Sequence, residues 1–94
     1  MNEKIQEWKK KYGKVMQMNI SGVDYIYRGI NLDEYLNLQK AIEAGENPEI
    51  LTAKVGTLSH EITTETGAGI ILALSDEILK ISGFNVEKST PKEL

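Results

Sequence analysis

Apolar residues recur at helical spacing at the start of the chain. Ile5, Trp8 and Tyr12 are three and four residues apart, which predicts a helix of about ten residues with one narrow apolar stripe. Gly13 is expected to end this helix. So short a helix is marginal alone, because few turns offset the free energy of nucleation, and it must dock on another element. Trp8 is then either part of the core or an anchor for a partner protein.

The segment from Lys14 to Arg28 has the alternating pattern of a β-hairpin, with Ser21 and Gly22 at the turn. A two-residue loop places the apolar side chains on one face, with the pairs Ile20 and Val23, Met18 and Tyr25, and Met16 and Tyr27. The other face then carries the pairs Asn19 and Asp24, Gln17 and Ile26, and Val15 and Arg28. A slip of one residue would scramble this segregation. A longer loop with Gly22 in the left-handed region is the alternative.

A second helix begins at Asn31, which forms a capping-box pattern with Glu34. Its buried stripe is predicted from the helical spacing of its apolar residues, and the helix stops at Gly45. The stripe consists of Tyr35, Leu38 and Ile42, widened by Leu32 and Leu36.

Two more helices are predicted further along the chain. Asn47 and Pro48 are typical of a helix start, and this helix runs to about Gly56 or Leu58, although Leu51, Thr52 and Val55 also suit a strand. After a loop from Ser59 to Gly69, with Thr64 or Thr66 as the N-cap, the last helix carries a regular apolar stripe. Gly83 ends it, with Phe84 in position for a hydrophobic capping contact. The stripe residues are Ile71, Leu74, Ile78 and Ile81.

These elements predict an α+β fold: an N-terminal short helix, a β-hairpin, then three helices packed on the hairpin face. An isolated pair of strands is marginally stable in water, so helices must cover its apolar face. Residues 1–84 are expected to form a single compact domain. Residues 85–94 are polar and aperiodic and are expected to form a flexible C-terminal tail.

Composition narrows the function classes. The chain has 94 residues, a mass of 10.5 kDa and a hydrophobic content of 40%, which fits one globular domain. The absence of cysteine excludes thiolate zinc sites, thiol nucleophiles and redox pairs. No apolar run approaches the roughly 18 residues of a membrane span, and the N-terminus lacks a signal-peptide hydrophobic region, so we expect a cytosolic protein without membrane contact.

Charge is divided unevenly along the chain. Residues 1–30 carry six basic and three acidic groups, whereas residues 31–94 carry five basic and eleven acidic groups, for an overall net charge of −3. The cluster Lys9, Lys10 and Lys11 is either an ordinary solvated helix face or a basic arm that docks on an acidic partner. The acidic total and the lack of a recognised motif disfavour nucleic-acid binding.

Candidate chemistry is sparse. His60 is the only histidine, so a histidine metal cluster cannot form, and no recognisable nucleophile or oxyanion motif accompanies His60 and Glu61. The stretch 66–69 precedes a helix and could bind an anion through backbone N–H groups, but it lacks the lysine and spacing of a phosphate-binding loop. We expect no catalytic residue, no metal and no cofactor.

Two blocks of sequence carry a family resemblance. The first runs from Trp8-Lys9-Lys10-Lys11-Tyr12-Gly13-Lys14-Val15 through the hairpin into Tyr25-Ile26-Tyr27-Arg28-Gly29-Ile30-Asn31-Leu32-Asp33-Glu34-Tyr35, and the second is Leu74-Ser75-Asp76-Glu77-Ile78-Leu79-Lys80-Ile81-Ser82-Gly83-Phe84. Over roughly residues 5–84, the chain resembles the small tail-assembly chaperone and baseplate-hub assembly proteins of tailed bacteriophages. The resemblance implies a non-enzymatic protein that binds a tape-measure or hub component in the bacterial host cytoplasm, or that remains in the virion tail.

The residues predicted to bind the partner combine aromatic surface with positive charge. Arg28 can instead form a structural ion pair with Asp33 or Glu34. A small regulatory or antitoxin-like protein-binding module is the alternative function, and self-association into a homo-oligomer stays open. The predicted partner-binding residues are Trp8, Lys9, Lys10, Tyr12 and Arg28.

Overall fold

The structure, a computed structural model, describes residues 2–83 and 91–94. Its element order confirms the predicted α+β arrangement of a helix, a hairpin and three helices. The elements are α1 (Asn2–Tyr12), β1 (Val15–Ile20), β2 (Val23–Arg28), α2 (Leu32–Glu43), α3 (Pro48–Gly56) and α4 (Ala68–Ile81).

The hairpin has the predicted register in all six pairs, from Val15 with Arg28 to Ile20 with Val23. Ser21 and Gly22 both have positive φ, 52° and 86°, so the connection is the two-residue loop and the longer loop is excluded. Such turns match the right-handed twist of the strands. Asn19 fixes the turn, because its side-chain oxygen accepts from Gly22 N–H and its amide donates to Asp24.

The main core lies on the predicted apolar face of the hairpin, under α3 and α4. Tyr25 and Tyr27 of β2 are buried there, and Leu74 and Ile78 of α4 are completely buried. α3 and α4 pack closely, with Gly56 directly against Ile78. The hydrophobic effect of closing this face stabilises a hairpin that would be marginal in isolation.

β2 is also buried on its second face, where the predicted pairs each include at least one polar residue. Ile26 and Arg28 are both buried. α1 contacts the hairpin on this side: Ile5 and Lys9 line a shared cleft with Ile26, and the Tyr12 ring lies over Arg28. The short helix therefore docks on the hairpin, as its length requires.

A segment after α3 extends β2 along its free edge. Thr57 forms an isolated antiparallel bridge with Tyr27, and Leu58 N–H donates to Ile26 O at 2.8 Å. Ile62 of the following loop is buried in the core. These contacts are between residues distant in sequence, so a local pattern could not reveal them.

The helix starts agree with the prediction in two of three cases. α2 has the complete capping box of Asn31 and Glu34, and α3 has Asn47 as N-cap followed by Pro48, which excludes the strand alternative. For α4 the prediction of Thr64 or Thr66 is wrong: the N-cap is Gly67, without a side-chain cap. Thr66 Oγ1 instead accepts from Thr63 N–H and closes a local turn.

The buried stripe of α2 is narrower than predicted. Leu38 is buried, but Leu32 and Leu36 are 69% and 48% exposed, because α2 contacts its neighbours along one edge only. Gly83 has positive φ at the end of α4, as expected of a helix stop. The capping contact of Phe84 and residues 85–90 of the predicted tail lie outside the described residues.

Candidate functional site

The five predicted partner-binding residues fall on α1 and at the end of β2. Trp8 and Tyr12 are half-buried on the stripe of α1 that faces the hairpin, whereas Lys9 and Lys10 are exposed. The structure brings Tyr12 and Arg28 into direct contact, with the guanidinium carbon 4.2 Å from the ring centroid. Trp8 is half-buried and lies outside the cluster of fully buried core residues.

Arg28 forms the structural ion pair with Glu34 that was one of its two predicted roles. Nη1 donates to Oε1 and Nη2 donates to Oε2, both at 2.7 Å, so the two planar groups meet at two points. Nη1 also donates to Gly29 O at 3.2 Å. The pair joins the end of β2 to the first turn of α2.

The ion pair changes the protonation equilibria of both groups. The hydrogen bond from Arg28 lowers the pKa of Glu34, and burial opposes this effect. The same hydrogen bond raises the pKa of Arg28, again against desolvation. Both groups are therefore charged throughout the neutral range.

The capping box explains why Glu34, and not Asp33, is the partner of Arg28. Glu34 N–H donates to Asn31 Oδ1 at 2.9 Å, and Asn31 N–H donates to Glu34 Oε1 at 3.1 Å. This geometry turns the Glu34 side chain back over the start of α2, towards the end of β2. Asp33 is exposed in the same turn.

A cleft of about 340 Å³ opens beside this ion pair. It lies where the end of α1, the end of β2, the start of α2 and the end of α4 meet. Besides the ion pair it contains Lys11, of the predicted basic cluster, and Lys14; neither is among the five predicted partner-binding residues. The cleft is lined by Lys11, Tyr12, Lys14, Arg28, Gly29, Ile30, Asn31, Glu34, Ile81 and Ser82. We refer to it as the Arg28 cleft.

Ser82, at the end of α4, holds one wall of the Arg28 cleft in place. Its Oγ accepts from Ile30 N–H at 2.8 Å and donates to Ile78 O. Gly29 makes this approach possible, because a Cβ there would lie 3.1 Å from Ser82 Oγ. Sequence reasoning missed Ser82, since its partner Ile30 is 52 residues away.

His60 belongs to a separate, structural arrangement. Ile26 N–H donates to Ser59 Oγ at 2.9 Å, and Ser59 Oγ lies 2.7 Å from His60 Nδ1. The imidazole also packs against the Tyr25 ring, with centroids 4.5 Å apart. Ser59 Oγ thus bonds both the backbone of β2 and the imidazole, and these contacts hold the loop against β2.

Residues 66–69, which could bind an anion through backbone N–H groups, lie at the start of α4. Gly67 is the N-cap, and the adjoining cleft of about 250 Å³ includes the Glu49 side chain, which disfavours an anion. Within the described residues, no group of three or more His, Asp or Glu side chains is placed to hold a metal ion. No helix in residues 2–83 and 91–94 has the length and apolarity needed to cross a membrane.

Comparison with known proteins gives no match. The chain matches no protein-family model, no curated protein and no solved structure.

Proposed function

We propose that this chain is a small non-enzymatic assembly protein of a bacteriophage tail or baseplate, which binds a tail structural protein through α1 and the end of β2. The sequence blocks that resemble tail-assembly chaperones and hub assembly proteins motivate the class of partner. The contact between α1 and Arg28 supports this binding surface. Tyr12 stacks there on the guanidinium, beside exposed lysines.

The chemistry of this surface suits a partner that presents an acidic, partly apolar helix. Lys9 and Lys10 are exposed and supply charge, while Trp8 and Tyr12 supply aromatic area that is only half-buried. Aromatic and arginine side chains concentrate binding energy at protein interfaces, and charges at the rim favour the correct partner.

The test is affinity capture of the tagged protein from cells that produce its phage or prophage proteins, with mass spectrometry of what is bound. We expect a tape-measure or baseplate hub protein, and its loss in the variant Lys9→Gln/Lys10→Gln. The matched control, Lys40→Gln/Lys54→Gln, removes the same charge from exposed positions on α2 and α3 and should bind normally.

Mass spectrometry of purified virions then distinguishes a baseplate-hub component from an assembly chaperone. A protein that stays in the particle is a hub component, and one that is absent from it is an assembly chaperone. Specific capture of a toxin instead would overturn the proposal and support the regulatory or antitoxin-like module. Equal capture by both lysine variants would exclude the α1 surface as the binding site.

A further inference from the structure

Arg28 has hydrogen-bonding capacity that the ion pair with Glu34 does not use. A guanidinium carries five N–H donors, and three of these go to the two Glu34 oxygens and to Gly29 O. Among the described residues, Nε–H is buried and has no hydrogen-bond partner. Nε–H and the second Nη2–H share one edge of the guanidinium, where two parallel donors match two oxygens of an oxyanion.

The charge of the Arg28 cleft also favours an anion. Arg28 and Glu34 neutralise each other, which leaves the positive charges of Lys11 and Lys14 among the lining residues. Arg28 is nine-tenths buried, so its position is fixed by the protein before any ligand arrives. A prepositioned donor pair needs little ordering on binding.

Tyr12 lies over the face of the Arg28 guanidinium. Its ring is half-buried. Tyr12 is also the last residue of α1 and directly precedes Gly13, whose φ is 80°. Because Nε is shielded from solvent, an anion reaches it only when a covering side chain turns aside. A residue at the end of a short helix, such as Tyr12, can do so at small energetic cost.

We infer that the Arg28 cleft is an oxyanion site, in which the Nε/Nη2 edge of Arg28 binds two oxygens of a carboxylate or phosphate and Lys11 and Lys14 balance its charge. The ligand is an acidic side chain of the partner protein, and this identification rests on the proposed function. The site itself is testable without that protein.

The sequence offers a direct probe, because Arg28 is the only arginine and its Nε–H gives the single arginine side-chain signal in a ¹⁵N-correlated NMR spectrum. The full chain is titrated at constant ionic strength with two probes: a tetraglutamate peptide blocked at both ends, and inorganic phosphate. We expect saturable shifts of the Arg28 Nε–H signal with the peptide. Equal saturation by phosphate would confirm the oxyanion site and identify a free anion as a competing source.

Matched lysine variants locate the site. Lys11→Gln/Lys14→Gln should weaken binding of the peptide by about tenfold, since two charges that line the cleft are lost. Lys40→Gln/Lys54→Gln removes the same charge from exposed positions on α2 and α3, outside the Arg28 cleft, and should keep the wild-type affinity. The indole signal of Trp8, the only tryptophan, verifies that α1 remains folded in each variant.

Two results would overturn the inference. One is an unchanged Arg28 Nε–H signal while lysine signals shift, which indicates general screening of a basic surface. The other is equal weakening in both lysine variants. Saturable binding here together with failed capture of a phage protein would reject the proposed partner and keep the oxyanion site.

Discussion

Arg28 and Glu34 join the end of β2 to the start of α2 through two parallel hydrogen bonds of 2.7 Å. The same Glu34 carboxylate accepts from Asn31 N–H, so one side chain both caps the helix and fixes its position against the hairpin. The orientation of α2, and with it one wall of the Arg28 cleft, therefore depends on a single carboxylate.

Replacing this carboxylate by an amide tests the contribution of its charge. Glu34→Gln keeps an oxygen for the capping box but loses the two-point ion pair, and we expect a loss of about 2 kcal/mol in the free energy of unfolding. The matched control is Asp33→Asn, which removes an exposed charge from the same helical turn. Urea unfolding measures both, and equal effects would show that the ion pair contributes no stability of its own.

The lowered pKa of Glu34 predicts a specific acid sensitivity. A carboxyl group whose pKa is lower in the folded state stabilises the fold above its ordinary pKa of about 4.3, and this stability is lost as the pH falls through the lowered value. The difference in unfolding free energy between the wild type and Glu34→Gln should therefore be constant near neutral pH and shrink below about pH 4.3. A difference in unfolding free energy that stays constant down to pH 2 would contradict a lowered pKa of Glu34 in the folded state.

Local patterns were sufficient to predict the hairpin and most helix starts. The register followed from the segregation of apolar and polar pairs, and a slip would have moved Met18 to the wrong face. Capping also predicted the ion pair in part: Asn31 and Glu34 form a local motif, and Arg28 ends the preceding strand. Choosing between Asp33 and Glu34 required the geometry of that motif.

What the patterns missed depends on contacts between distant parts of the chain. The burial of Ile26 on the second hairpin face comes from the docking of α1 on one side of β2 and the 57–59 segment along its edge. The wider stripe predicted for α2 was wrong because a helix at the margin of the fold buries only its inner edge, which leaves Leu32 exposed. Lys11 and Lys14 stood in a basic run whose relation to Arg28 is visible only in three dimensions.

Ser82 is another residue whose role depends on a contact with a distant part of the chain, and its hydroxyl should stabilise the fold. Ser82→Ala removes the acceptor of the Ile30 N–H, which costs about 1–3 kcal/mol for a buried donor. Hydrogen exchange gives the specific readout: the Ile30 amide should exchange faster in the variant, while amides of the β1–β2 turn are unaffected. Unchanged exchange at Ile30 would mean that this hydrogen bond does not hold the segment.

The core between the hairpin and α4 should be sensitive to the loss of volume. Ile78 is completely buried, and Ile78→Ala should lower the free energy of unfolding by about 2–5 kcal/mol. Leu72, on the outer side of the same helix, is 56% exposed, so Leu72→Ala should have a much smaller effect. Thermal unfolding followed by circular dichroism compares the two, and similar melting temperatures would place Ile78 outside the cooperative core.

Gly56 should be intolerant of a single added methyl group. A Cβ at this position would lie 2.5 Å from Cδ1 and 2.8 Å from two other carbons of Ile78, so α3 and α4 would have to move apart. The strain of overpacking, about 1–3 kcal/mol, exceeds the helix preference of alanine over glycine, about 1 kcal/mol. Gly69→Ala is the control, because a Cβ there meets nothing within 4 Å and the substitution should be neutral or stabilising. Chemical unfolding of both variants measures the contrast, and equal stabilities would mean that the α3–α4 contact yields without cost.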